Sequence, residues 1–348
     1  MTAASSRRSG RNRPLRASDF PALAETFLVA GVAAVLGIRA FLTAAGFPQI
    51  GGAGLHIAHL LWGGALMLAG ILLLIAYVDR RVEHLAVVLA GLGFGAFIDE
   101  VGKFVTSDND YFFRPAVALI YIVFVGLFLV ARALAGTRAL TEREALANAL
   151  AQLAGSLGKG LDRDDATRIR HLLTAAGSSR LVSDLRAVVD RTAAPNDDEL
   201  VDRAAGFARA AYERLVGDRR FELGVLLAVA VYAVVAVLTG ILATTRAGSV
   251  PSAGLDLPTA SQAVSSIVGA ALVLRGALLI RTERLQAYRW LARGLLVWIL
   301  VTQVFLFYTS QLAGIGGLAF DLGAYVTVRY AIGRERLAAA TAPGPSGA

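Results

Sequence analysis

Apolar runs long enough to cross a bilayer recur along most of this chain, and nothing constrains its fold more. A bilayer core of roughly 30 Å takes about 20 helical residues. In hydrocarbon a spanning backbone must satisfy its own hydrogen bonds, which helices do. Eight such segments fall near 24–46, 55–78, 84–106, 114–135, 221–245, 262–282, 288–310 and 312–333. Arg39 interrupts the first and Asp321 the last. The expected fold class is therefore all-α, a polytopic membrane helix bundle of about eight transmembrane helices. Composition agrees: of 348 residues 56% are hydrophobic and 17% charged, with a mean hydropathy of +0.61. That balance is wrong for an ordinary soluble domain.

The net charge of +8 does not read as a nucleic-acid patch, because the arginines sit in short segments beside apolar runs. That is the positive-inside pattern. Arginines mark the N-terminal tail, the turn at Arg80–Arg81, the 281–293 region and the C-terminal tail, whereas the alternate connections are nearly free of them. Both termini are expected in the cytoplasm, consistent with an even number of spans. The Ala-, Gly-, Leu- and Arg-rich composition suggests a bacterial inner membrane. No short apolar region with a small-residue cleavage site follows Arg7, Arg8, Arg11, Arg13 and Arg16, so the start reads as a tail touching lipid headgroups rather than a cleaved signal. The chain has no cysteine, which excludes disulfides and thiolate metal ligation.

The expected organisation is a basic cytoplasmic tail (1–22), membrane helices one to four (23–135), a cytoplasmic helical insert (136–220), membrane helices five to eight (221–334) and a second tail (335–348). Within the soluble insert, Thr141 with Glu144 has the spacing of a capping box, as does Asn196 with Glu199. Leu146, Leu150 and Leu153 recur at helical spacing. Breaks at Gly155–Gly160, Ala176–Ser179 and Ala193–Asn196 predict three or four short helices, suited to packing or to homo-oligomer formation.

The two membrane halves look related. Glu100–Ser107 (EVGKFVTS) aligns with Gln303–Ser310 (QVFLFYTS), with four identities and a Glu-to-Gln exchange. Gly63–Gly70 (GGALMLAG) likewise aligns with Gly269–Gly276 (GAALVLRG). Both matches run in the same direction, which suggests a parallel four-plus-four repeat.

Ionisable residues inside apolar helices are costly and mark functional sites. Asp99, Glu100 and Lys103 stand within the third segment, Arg39 in the first, Gln303 in the seventh and Asp321 in the eighth. Their positions place most of them in one outward layer. Asp99 and Lys103 have the i, i+4 order of an intrahelical ion pair, and Arg39 is the natural partner of Glu100. Gly91, Gly95 and Gly102 allow a neighbouring helix to approach.

Three functions fit. The first is cation- or proton-coupled transport of a small ion or solute, with Asp99, Glu100, Lys103, Arg39, Gln303 and Asp321 as the binding site. The second is a membrane-embedded enzyme acting on a lipid or small molecule, with His56, His59 and Glu100 holding a divalent metal such as zinc. Lys103 and Arg39 nearby disfavour that. The third is a non-catalytic scaffold whose working part is the insert. Against an equally simple structural reading, the four charges Arg39, Asp99, Glu100 and Lys103 sum to zero and would make a neutral register-fixing network.

Overall fold

The computed structural model describes residues 14–45, 59–101, 115–136, 138–156, 160–192, 214, 218–249 and 257–341. Among them the regular elements are all helical, with no β-strand. Five helices are long and apolar enough to cross a membrane, at 20–42, 80–99, 116–135, 257–279 and 284–310. Their large apolar side chains face outward: Leu61, Leu68, Ile71, Leu72 and Ile75 along one short apolar helix are all exposed. Buried positions mix glycine, alanine and polar groups with larger apolar side chains such as Phe124, Leu295 and Trp298.

The described residues fall into two compact units. The first lies within 1–105 and 123–199, and the second within 106–122 and 200–348. In the first, α1 (Phe20–Ala45) and α2 (His59–Ala76) both pack on α3 (Arg80–Asp99). Helix α4 (Ala116–Ala135) gives residues from 123 onward to this unit, and Phe124 meets Phe94 edge-on at 5.8 Å. Asp79 caps α3, accepting from the Arg81 N–H at 2.8 Å.

Glycines set the spacing. A Cβ on Gly95 would lie 2.2 Å from the Gly31 carbonyl oxygen, and one on Gly91 would lie 2.5 Å from that of Phe27. The approach of α1 to the predicted glycine face is thus backbone to backbone. Lipid tails are as apolar as leucine, so helices in a bilayer associate through such contact rather than through exclusion from water.

The insert begins with α5 (Glu142–Ser156), α6 (Arg163–Ala175) and α7 (Arg180–Thr192). Ala145, Ala149, Leu161, Ile169, Leu173, Val182 and Val189 form its core. The Thr141–Glu144 capping box is present: Glu144 N–H donates to Thr141 Oγ1 at 3.3 Å, and Thr141 N–H to Glu144 Oε2 at 2.8 Å. Gly177, with φ +91°, takes the left-handed conformation that glycine accepts after a helix end. Leu146 and Leu153 pack against this core, but Leu150 is exposed. The other buried face of α5 is polar instead, with Glu144, Asn148, Gln152 and Ser156 at every fourth position. Asn196 and Glu199 lie outside the described residues.

That polar row holds the chain's own N-terminal segment. Arg16 Nε donates to Glu144 Oε1 at 3.0 Å, and its Nη1 and Nη2 reach the Arg138 and Ala139 carbonyls. Asn148 clamps the backbone, accepting from Ser18 N–H at 2.7 Å and donating to the Arg16 carbonyl at 2.8 Å. Gln152 donates to Ser18 Oγ, and Asp19 meets Arg80 at 3.7 Å. Arg16 is therefore not part of a headgroup-touching tail. A fixed carboxylate and two carbonyls match its planar fork better than a mobile lipid surface does.

In the second unit α8 (Arg219–Ser249) packs on α9 (Leu257–Leu279), α9 on α10 (Arg284–Val297), and α12 (Ile315–Thr341) on α10 and more lightly on α8. A π-helix, Trp298–Thr302, joins α10 to α11 (Gln303–Ser310).

The hairpins α2–α3 and α9–α10 carry the same contact ladder. Cβ atoms on Gly63 and Gly70 would strike the carbonyl oxygens of Gly93 and Ala86 at 2.6 and 2.7 Å. In the second unit, the Cβ of Gly294 would meet the Gly269 carbonyl oxygen at 2.7 Å, and that of Gly276 the Ala287 carbonyl oxygen at 2.8 Å. The rungs are seven residues apart on every strand of both ladders.

Candidate functional site

Helix α3 stops at the acidic pair rather than running on through it. Asp99 is its last residue, and Glu100 leaves helical geometry at φ −86°, ψ 6°, with its N–H turned back to the Ile98 carbonyl. The expected helix from 84 to 106 is interrupted at Glu100; Val101 is helical again, and 102–106 lie outside the described residues.

The partners change accordingly. Asp99, not Glu100, receives Arg39 Nε, at 2.5 Å. Glu100 Oε2 accepts from the backbone N–H of Leu60 at the start of α2, at 3.3 Å. Both acids are buried, each at 1% exposure, and the Arg39 side chain is 13% exposed. Two carboxylates at a helix C-terminus also face the negative end of its dipole. Lys103 and His56 lie outside the described residues, and of His59 only its place at the head of α2, beside Leu60, is described. Among the described residues no group of three or more His, Asp or Glu side chains is placed to hold a metal.

Gln303 and Asp321 belong to the second unit. Gln303 is buried and donates from Nε2 to the Gly314 carbonyl at 2.9 Å. It follows directly on the π-helix, an element common at functional positions. The Tyr121 hydroxyl donates to the Ile299 carbonyl within that element. Thr302 Oγ1 donates to Ser265 Oγ at 3.0 Å. Asp321 is 3% exposed. It does not bond Gln303, and its Oδ1 has no hydrogen-bond partner.

No protein family, no curated protein and no solved structure matches the chain.

Sequence reasoning missed three arrangements. One is the π-helix. Another is the buried Glu222, which accepts from the Tyr288 hydroxyl and from Arg334. The third is the polar row of α5, where Arg16 holds the Glu144 carboxyl down to about 2, mainly by its side-chain hydrogen bond and then by that from Thr141 N–H. Only this last had a visible signal, in the i, i+4, i+8, i+12 spacing of Glu144, Asn148, Gln152 and Ser156.

Proposed function

We propose that this is an eight-span bacterial inner-membrane protein that carries a small ion or solute, coupled to a cation or proton bound at Glu100. The observation that carries the reading is the end of α3. Two carboxylates lie buried in an apolar helix at the point where that helix is interrupted, and interrupted helices are how several carriers hold a coupling cation. In this reading Arg39 is the fixed counter-ion and Glu100 the exchangeable ligand.

Parity supports the number of spans. Asp19 lies against Arg80, and a Cβ on Gly155 of the insert would be 3.1 Å from the Val78 carbonyl oxygen. These contacts support a reading in which the start of α1, the α2–α3 turn and the insert share one membrane face and α1 and α2 cross as a pair. The Arg16–Glu144 contact supports α3 and α4 as a second return pair. In the second unit Glu222 near the start of α8, Tyr288 in α10 and Arg334 in α12 meet at one end, as four antiparallel crossings would bring them together. The matched glycine ladders support a parallel four-plus-four repeat. With the arginine-rich ends taken as cytoplasmic, the α3 terminus lies toward the outer side in this reading.

The test is solute and ion flux in proteoliposomes. Glu100→Gln keeps the shape but removes the charge, and flux should fall at least about tenfold, since the exchangeable ligand is gone. Unchanged flux sinks the reading.

A further inference from the structure

We propose that Asp321, in the second unit, is a separate binding site for a small monovalent cation, an alkali ion or a proton. The contrast with Asp99 drives it. Asp99 is buried in an apolar helix and meets a guanidinium. Asp321 is equally enclosed in α12, yet among the described residues no Lys, Arg or His nitrogen lies within ion-pair distance, and Oδ1 has no hydrogen-bond partner. Gln152 Oε1 is likewise buried without a partner, but it is a neutral amide. A bare carboxylate enclosed in apolar surroundings is not tolerated, and the group it needs is a cation.

The setting suits a small one. Among the described residues, Tyr121 on α4 and Tyr232 on α8 lie within electrostatic reach of Asp321. The charged cluster of Glu222 and Arg334 lies further along, Arg334 being 13 residues on, or roughly 20 Å at 1.5 Å per residue. Tyr121 hydrogen-bonds Ile299 of the π-helix, and Tyr232 stacks edge-on against Trp298 of the same element at 4.8 Å. Tyr232 also meets Phe320, the neighbour of Asp321, at 6.1 Å. Occupancy at Asp321 is thereby coupled to an irregular helical segment and to a buried indole. The coupling use of this site rests on the transport reading, whereas the binding itself does not.

Trp298 supplies the readout. The full-length protein in detergent, with Trp62→Phe and Trp290→Phe, leaves Trp298 as the single tryptophan. Its emission is followed while NaCl or KCl replaces choline chloride at fixed pH, and again while pH varies in choline alone. A saturable response to sodium or potassium identifies an alkali site, and one to pH alone a proton site. Either should disappear in Asp321→Asn and persist in Glu100→Gln. No response in any arm, a response kept by Asp321→Asn, or one that depends on Glu100 instead, overturns the proposal. Should Asp321→Asn not fold, carbodiimide modification of Asp321 in the wild-type protein is measured by peptide mass. It should fall as the cation saturates, and modification indifferent to every cation overturns the site. Binding at Asp321 without any flux keeps the site and removes the transport reading. Flux with no binding there does the reverse.

Discussion

The hairpins α2–α3 and α9–α10 share a glycine ladder and differ at its end. In the first unit the third helix stops at two buried acids, with Arg39 against one of them. In the second, the corresponding path continues through a π-helix to a neutral Gln303 that bonds the Gly314 carbonyl. The ladder decides how closely two helices lie. The break in hydrogen bonding just beyond it decides which polar groups face inward. Close packing and site chemistry are thus specified by different residues a few positions apart, and one can change without the other.

The largest expected effect separates the two ends. Arg39→Ala leaves the Asp99 carboxylate without its guanidinium and should cost about 3–5 kcal/mol, the range for breaking one side of a buried pair. Gln303→Ala removes one neutral bond and should cost only about 1 kcal/mol. Denaturant unfolding in micelles compares them, and equal costs would erase the distinction. Next comes the ladder itself. Gly63→Ala and Gly269→Ala should each cost about 1–3 kcal/mol by overpacking. The first meets Gly93 backbone and the second the Trp298 indole, so only the second should be relieved by Trp298→Phe. Because the chain has no native cysteine, paired cysteines across each hairpin report the separation directly. The smallest effect concerns neither hairpin. Glu144 falls from about 4.3 in an unfolded chain to about 2 on folding. A depressed carboxyl stabilises fully above its unfolded value and loses that contribution as pH falls through the folded one. Docking of Arg16 should therefore weaken between about pH 4 and pH 2, seen as rising amide exchange at Ser18, with no such change in Glu144→Gln.

Much of this was legible in residue types. The all-helical, apolar class was readable from the apolar runs, five described helices being long and apolar enough to cross a membrane, and Gly91 and Gly95 do receive a neighbouring helix. Arg39 and Asp99 were both recognised, but their pairing was not. It depends on where α3 ends, and Gly102, the nearest sequence mark of a break, stands two residues past the interruption at Glu100. The π-helix is equally silent, because Trp298–Thr302 has the composition of any apolar helix. The docking of Arg16 on Glu144 joins residues 128 apart, which local periodicity does not reach.

That last contact also has a clock. At roughly 5–20 residues per second of synthesis, the 128 residues between Arg16 and Glu144 take roughly 6–26 s to emerge. The first four apolar helices are thus made while the N-terminal segment has no partner. On the proposed topology of four crossings before the insert, a hairpin inserted the wrong way round would leave Arg16 and Glu144 on opposite faces, so their meeting would report that the first half of the chain is threaded as proposed.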